Sequence, residues 1–252
     1  TDHSRAGRLL GVDLWYPATA STAERSIYEL LPGIAYAAAH AQHEPPARAG
    51  QFPLVLFSHG RTGMRISYAY LCEALAARGA VVASADHPGD ALVDWLLSNN
   101  DDDRTNEVNR VADAHFVLHA LLNGDPAVPV DVVNAIDHDR IALGGHSYGA
   151  YTAFATAAGS RGVAAHDRVR AIVGLQSYTR TMSDSLLGRI DVPTLLVVAT
   201  SDTTTPPDTD AERPWALLRC SPLWRLDVEG AGHQAITDVA LYAELAPQVP
   251  GL

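Results

Sequence analysis

Ser147 stands in the pentapeptide Gly145-His146-Ser147-Tyr148-Gly149, behind the apolar run Arg140-Ile141-Ala142-Leu143-Gly144 and ahead of an alanine-rich stretch, 150–159. This reads as a serine lifted on a sharp strand-to-helix turn, where small flanking residues let the crossing backbones approach. A free serine hydroxyl is a poor nucleophile. Acyl-transfer chemistry therefore needs a base, a group that orients the base, and amide donors for the oxyanion. Asp202 follows the apolar run 193–199, and His233 follows the run 223–228 inside the glycine-rich Glu229-Gly230-Ala231-Gly232-His233. The order Ser, acid, His suits a parallel sheet in which each residue sits at the carboxyl end of a later strand. His233 would take the Ser147 proton and return it to the leaving group, while Asp202 would fix the imidazole tautomer and stabilise the imidazolium.

The nearby rivals for the acid are Asp208 and Asp210. Among the other histidines, His146 belongs to the turn, His115 and His119 lie one helical turn apart as packing or surface residues, and His40 and His43 fall in a variable stretch. For the oxyanion, one amide is expected from Tyr148, the residue after the nucleophile. The second is expected from Arg61, in the loop Ser58-His59-Gly60-Arg61-Thr62-Gly63. The Arg61 side chain either pairs with an anionic or carbonyl-rich part of a substrate or points to solvent. Trp95, Tyr178 and Met182 are candidates for the wall of an acyl pocket, although ordinary packing would explain them equally well.

The elements that must carry these residues alternate between strand-like and helical patterns, the signature of a mostly parallel sheet. Strands are expected at 8–16 (antiparallel, at the entry), 52–58, 80–85, 140–144, 169–175, 193–199 and 223–228. Helices are expected at 65–78, 106–122, 150–159 and from about 234. Segments 18–51 and 88–105 read as long variable loops; the run Asn99-Asn100-Asp101-Asp102-Asp103 in the second reads as a solvated tip rather than a calcium loop. A chain of 252 residues that is 47% hydrophobic can bury one large core, so a single α/β domain over 1–252 without a large cap is expected.

A formal net charge of −11 argues against a nucleic-acid-binding surface, because such a surface needs clustered lysine and arginine. No apolar run is long enough to span a bilayer, which predicts a soluble protein, either cytoplasmic or secreted after loss of a leader. Cys72 sits in the apolar period of a helix, and the sequence calls for neither a disulfide nor a metal site.

Taken with Val12-Asp13-Leu14-Trp15-Tyr16-Pro17, Leu56-Phe57-Ser58-His59-Gly60, Ala83-Ser84-Ala85-Asp86-His87-Pro88-Gly89 and Gly232-His233-Gln234, the turn around Ser147 resembles the α/β-hydrolases. Within that fold the chain is similar to the platelet-activating-factor acetylhydrolase, cutinase and dienelactone hydrolase group. The resemblance implies hydrolysis of small-molecule or polymeric carboxylic esters through an acyl-serine, with no cofactor. Two departures stand out. The acetylhydrolases of this group place their acid just after the strand that follows the nucleophile's helix, where this chain has Gly174-Leu175-Gln176-Ser177; the acid then moves one strand on, as in cutinase-like enzymes, to Asp202. Cutinase-like enzymes also tend to carry an aromatic residue where this chain has Arg61. A short-to-medium acyl group is expected because no large apolar lid is visible. Lactone opening, amide hydrolysis and acyl transfer would use the same residues, and a non-catalytic binding module is the reading from another class.

Overall fold

Residues 1–248 are described in the computed structural model, so the last four positions of the domain expected over 1–252 lie outside the described residues. In chain order the strands are β1 (Val12–Trp15), β2 (Arg25–Leu31), β3 (Ile34–Gln42), β4 (Phe52–Ser58), β5 (Val81–Ala85), β6 (Ile136–His146), β7 (Val169–Leu175), β8 (Thr194–Ala199) and β9 (Leu223–Val228). The helices are α1 (Ala69–Ala77), α2 (Leu92–Leu96), α3 (Asp103–Asn123), α4 (Val130–Asn134), α5 (Tyr148–Ala158), α6 (Asp184–Leu187), α7 (Pro207–Asp210), α8 (Glu212–Leu217) and α9 (Val239–Leu245). Seven strands form one sheet in the order β1-β5-β4-β6-β7-β8-β9, parallel throughout except for β1, which pairs antiparallel with β5 from Val12↔Ala85 to Trp15↔Val82.

The strand order turns back between β4 and β6. The chain passes from β4 outward to β5, then returns to lay β6 on the other flank of β4. Loops leaving the carboxyl ends of two such strands diverge to opposite faces and leave a crevice between them. The central strands are apolar without alternation, as a sheet covered on both faces requires; all five residues of β5 are buried. Val81, Ala83 and Ala85 face a core completed by Val111, Leu118 and Leu121 of α3 and by Tyr151 and Phe154 of α5. Val82 faces the other way, into a cluster with Trp15, Tyr28, Cys72 and Ala76.

The segment 18–51, expected as a loop, contains the hairpin β2–β3, which forms its own two-stranded sheet. Alanine has weak strand preference, so the Ala-rich β3 gave little local signal. Tertiary contacts supply what propensity does not. Tyr28, Leu30 and Ala38 are buried, and the two-residue turn Pro32-Gly33 places Gly33 at φ +78°. Glu73 of α1, itself buried, anchors the hairpin: its Oε1 accepts from Tyr28 Oη at 2.9 Å and its Oε2 from the His40 amide at 2.6 Å.

The segment 88–105 is likewise structured, holding α2 and the start of α3. The aspartates there are more than a solvated tip: Asp102 caps α3 by accepting from the Thr105 amide at 2.9 Å, and Asp103 pairs with Arg61. Other boundaries shift. The first strand begins at Val12, some way after a 3-10 turn at His3–Arg5, the helix expected from 65 starts at Ala69, β6 begins before Arg140, and the final helix starts at Val239. Cys72 and Cys220 are buried and free.

Candidate active site

Ser147 caps the junction of β6 and α5 at φ 55°, ψ −118°, a region that costs a non-glycine residue about 1–3 kcal/mol. The surroundings fix it there. Its amide donates to Leu175 O at 2.9 Å, and its carbonyl accepts from the amides of Ala150 at 3.0 Å and Tyr178 at 3.1 Å. The flanking glycines are obligatory: a Cβ on Gly145 would lie 2.2 Å from Gly149 O, and one on Gly149 would lie 1.9 Å from Ser58 O.

Asp202 lies three residues beyond β8, and His233 lies beyond β9. The two loops are tied together by Ser201 N donating to Ala231 O at 2.9 Å and Gly230 N donating to Thr200 Oγ1 at 2.8 Å. His233 Nδ1 donates to Asp202 Oδ2 at 2.7 Å. The other carboxylate oxygen accepts from the amides of Thr204 at 2.8 Å and Thr205 at 2.9 Å. Burial alone would raise this carboxyl, but the hydrogen bonds from His233 and Thr205 outweigh it and hold the carboxyl below its usual value, so it stays ionised. The rival Asp210 is engaged elsewhere, by Arg180 at 2.5 Å.

Ser147 and His233 open onto the same cleft of about 370 Å³, within the range of small-molecule sites. Arg61, Trp95, Leu92, Met64 and Tyr242 line it with them. The Arg61 and Tyr148 N–H groups have no hydrogen-bond acceptor among the described residues. They come from the loop after β4 and from the first turn of α5, on the two sides of the point where the strand order reverses.

Of the expected pocket residues, Trp95 lines the cleft from α2. Met182 does not: it is 1% exposed and packed in the main core, where the turn before α6 carries it inward. Tyr178 stands edge-on to the Tyr148 ring, 5.6 Å between centroids, outside the lining of the cleft. The Arg61 guanidinium is drawn away by Asp103, 2.5 Å from Nη2, and lies over the Tyr148 ring. It meets neither a bare cleft nor open solvent alone.

Three further residues, to which the sequence reading gave no role in the site, support this arrangement. His146 Nε2 donates to the His233 carbonyl at 2.9 Å while its Nδ1 accepts from Tyr68 Oη at 2.6 Å. Burial, with the charge of His233 second, pushes His146 down to about 3, so it holds the His233 loop as a neutral ring. Thr205 Oγ1 bonds to Asp202 Oδ2 at 2.7 Å. Its signal was present in Asp202-Thr203-Thr204-Thr205, where an aspartate accepting from amides two and three residues on is a common turn. Arg110, on the buried face of α3, carried no local signal.

A mostly parallel sheet with a serine on a strained strand-to-helix turn, an aspartate after β8 and a histidine after β9 defines an α/β-hydrolase. The family described as Chlorophyllase matches residues 42–183, more than half of the chain, and the chain belongs to that family. It is 24% identical over 193 residues to a platelet-activating factor acetylhydrolase from Canis lupus familiaris, covering 62% of this chain. The chain spans only 42% of that curated relative's length. A solved ferulic acid esterase from Streptomyces cinnamoneus superposes with a TM-score of 0.74 at 28% identity, over 98% of this chain and 75% of the esterase. Among the described residues no helix is long and apolar enough to cross a membrane.

Proposed function

We propose that this chain is a serine hydrolase of carboxylic esters, with Ser147 as nucleophile, His233 as base and then acid, and Asp202 as the group that orients His233. The observation that carries this reading is the 2.7 Å bond from His233 to Asp202 at the edge of the cleft into which the strained Ser147 turn opens. His233 Nδ1 is committed to Asp202 as a donor, which leaves Nε2 unprotonated and able to accept the serine proton. Attack of Ser147 Oγ on the ester carbonyl gives an oxyanion that the Arg61 and Tyr148 amides stabilise. Expulsion of the alcohol, protonated by His233, leaves an acyl-serine, and water activated by the same imidazole releases the acid.

Family membership and the likeness to an acetylhydrolase and a ferulic acid esterase support an ester as the substrate. The cleft volume suits a small or medium acyl group, or the end of a larger molecule lying across its mouth. The test is labelling with a fluorophosphonate and turnover of nitrophenyl esters of graded acyl length. One label per chain at Ser147, with both labelling and turnover lost in Ser147→Ala, is the expected result. A folded, unlabelled protein that turns over no ester overturns the reading.

A further inference from the structure

The geometry points to Arg110 as the positioning residue of the oxyanion loop, an inference that rests on the hydrolase reading above: its guanidinium holds the peptide between Gly60 and Arg61 with the Arg61 N–H facing Ser147. Arg110 lies on α3 and is fully buried. A guanidinium without water needs a carboxylate and acceptors for its remaining N–H groups. Asp90, also fully buried, supplies the carboxylate, with Nε to Oδ2 at 2.7 Å. The other close contacts are to the loop, Nη1 donating to His59 O at 2.9 Å and Nη2 to Gly60 O at 3.2 Å, while Nη1 also reaches Thr152 Oγ1 of α5 at 3.5 Å.

The planar trans peptide turns those contacts into orientation. In such a unit the carbonyl and the following N–H point in opposite directions. Gly60 O is turned into the protein by Arg110, by His59 Nδ1 at 2.7 Å and by the Gly63 amide at 3.1 Å, so the Arg61 N–H faces the other side. Ser147 is close to this peptide: a Cβ on Gly60 would lie 3.5 Å from Ser147 Cβ. Glycine at position 60 makes rotation of this peptide inexpensive, and the rotated form would aim a carbonyl oxygen at the place where the oxyanion develops. The charged donor among the three is the one that most opposes rotation. The same guanidinium lies 5.0 Å from the ring centroid of Tyr148, the residue that supplies the second amide. One buried cation therefore holds the carbonyls of the oxyanion loop and packs on the ring of Tyr148.

The test uses the full chain with Arg110→Lys, which keeps the charge but cannot bridge both carbonyls and Asp90, and the double variant Arg110→Gln/Asp90→Asn, which leaves no uncompensated charge. Active sites are counted by fluorophosphonate labelling carried to completion. The expected result is kcat per labelled site lower by roughly tenfold in Arg110→Lys and on the order of 10² in the double variant, approaching loss of an oxyanion donor. KM and the pH profile of kcat should stay as in the parent. A residue that only supported folding would reduce the number of labelled sites and leave kcat per site unchanged, and that outcome overturns the assignment. If the double variant does not fold, Arg110→Lys decides alone. A parent protein that is never labelled removes the hydrolase reading and this inference with it, whereas a labelled parent with unaltered turnover in the variants removes only the role of Arg110.

Discussion

Thr205 donates its hydroxyl proton to Asp202, with Oγ1 2.7 Å from Oδ2, the same oxygen that accepts from His233 Nδ1. The threonine oxygen lies 3.2 Å from that imidazole nitrogen, so one buried hydroxyl braces both Asp202 and His233. Thr205→Val keeps the shape and removes the donor. Loss of one such bond is worth about 1–1.5 kcal/mol, which predicts a fall in kcat of about tenfold. Asp202→Asn disturbs the tautomer itself and should cost about 10⁴. Steady-state turnover of a nitrophenyl ester measures both, and equal losses would mean that Thr205 does more than brace the carboxylate.

The close approach of Gly149 to the end of β4 gives a stability prediction. A methyl group there meets Ser58 O at 1.9 Å and His59 O at 2.7 Å, both backbone atoms that cannot step aside. Gly149→Ala should lose more than about 4 kcal/mol, the range reserved for severe core strain. Gly232→Ala, where nothing lies within 4 Å, should stay within about 0.5 kcal/mol of the parent. Urea unfolding of the two variants distinguishes them, and comparable stabilities would contradict the packing of α5 against β4.

At the mouth of the cleft, the Arg61 side chain is about half exposed and its partner Asp103 more so. Pairs of this kind contribute roughly 0–1 kcal/mol. Arg61→Ala keeps the backbone N–H and should change kcat/KM less than tenfold, and Asp103→Asn should do the same. Ser147→Ala should abolish the acyl-enzyme altogether. Kinetics on short-chain esters will show this, and a collapse in Arg61→Ala would place the guanidinium, rather than the amide, at the reacting ester.

Acid should destabilise the fold through three buried histidines. Loss of water, followed by the positive charge of Arg110 for His59 and His87 and of His233 for His146, holds all three below their usual value, His146 at about 3. Unfolded histidine titrates near 6.5. Below that pH the unfolded chain binds protons the folded chain refuses, so stability is complete above about pH 6.5 and declines as the pH falls. Asp238 acts in the opposite sense: burial raises it to about 6, and it favours the folded state as the pH drops from about 6 toward 4. Burial also lowers the half-buried His115 and His166 and raises Asp13, so five histidines oppose two carboxyls and Tm should fall between pH 7 and pH 5. Thermal unfolding followed by circular dichroism measures it, and a level or rising Tm over that interval would contradict the buried, neutral state of these rings.

What the sequence by itself determined is the set of parts whose cause is local. The apolar runs of β4 to β8 and the glycine spacing around Ser147 are short-range patterns, because burial within the sheet and close backbone crossing each demand particular residues at particular neighbours. The fold class and its family resemblance were legible there. The chain order of Ser147, Asp202 and His233 was legible too, although it takes the sheet to set Asp202 against His233 and to open His233 and Ser147 onto one cleft. Tertiary structure alone decided the hairpin β2–β3, whose alanines become a strand only against Glu73 and Tyr28. It alone sent Met182 into the core and turned Arg61 toward Asp103. It also placed Arg110 beneath a loop 50 residues away in sequence. A side chain's direction and its distant partner depend on how α3, the hairpin and the sheet stack, and no window of neighbouring residues contains that information.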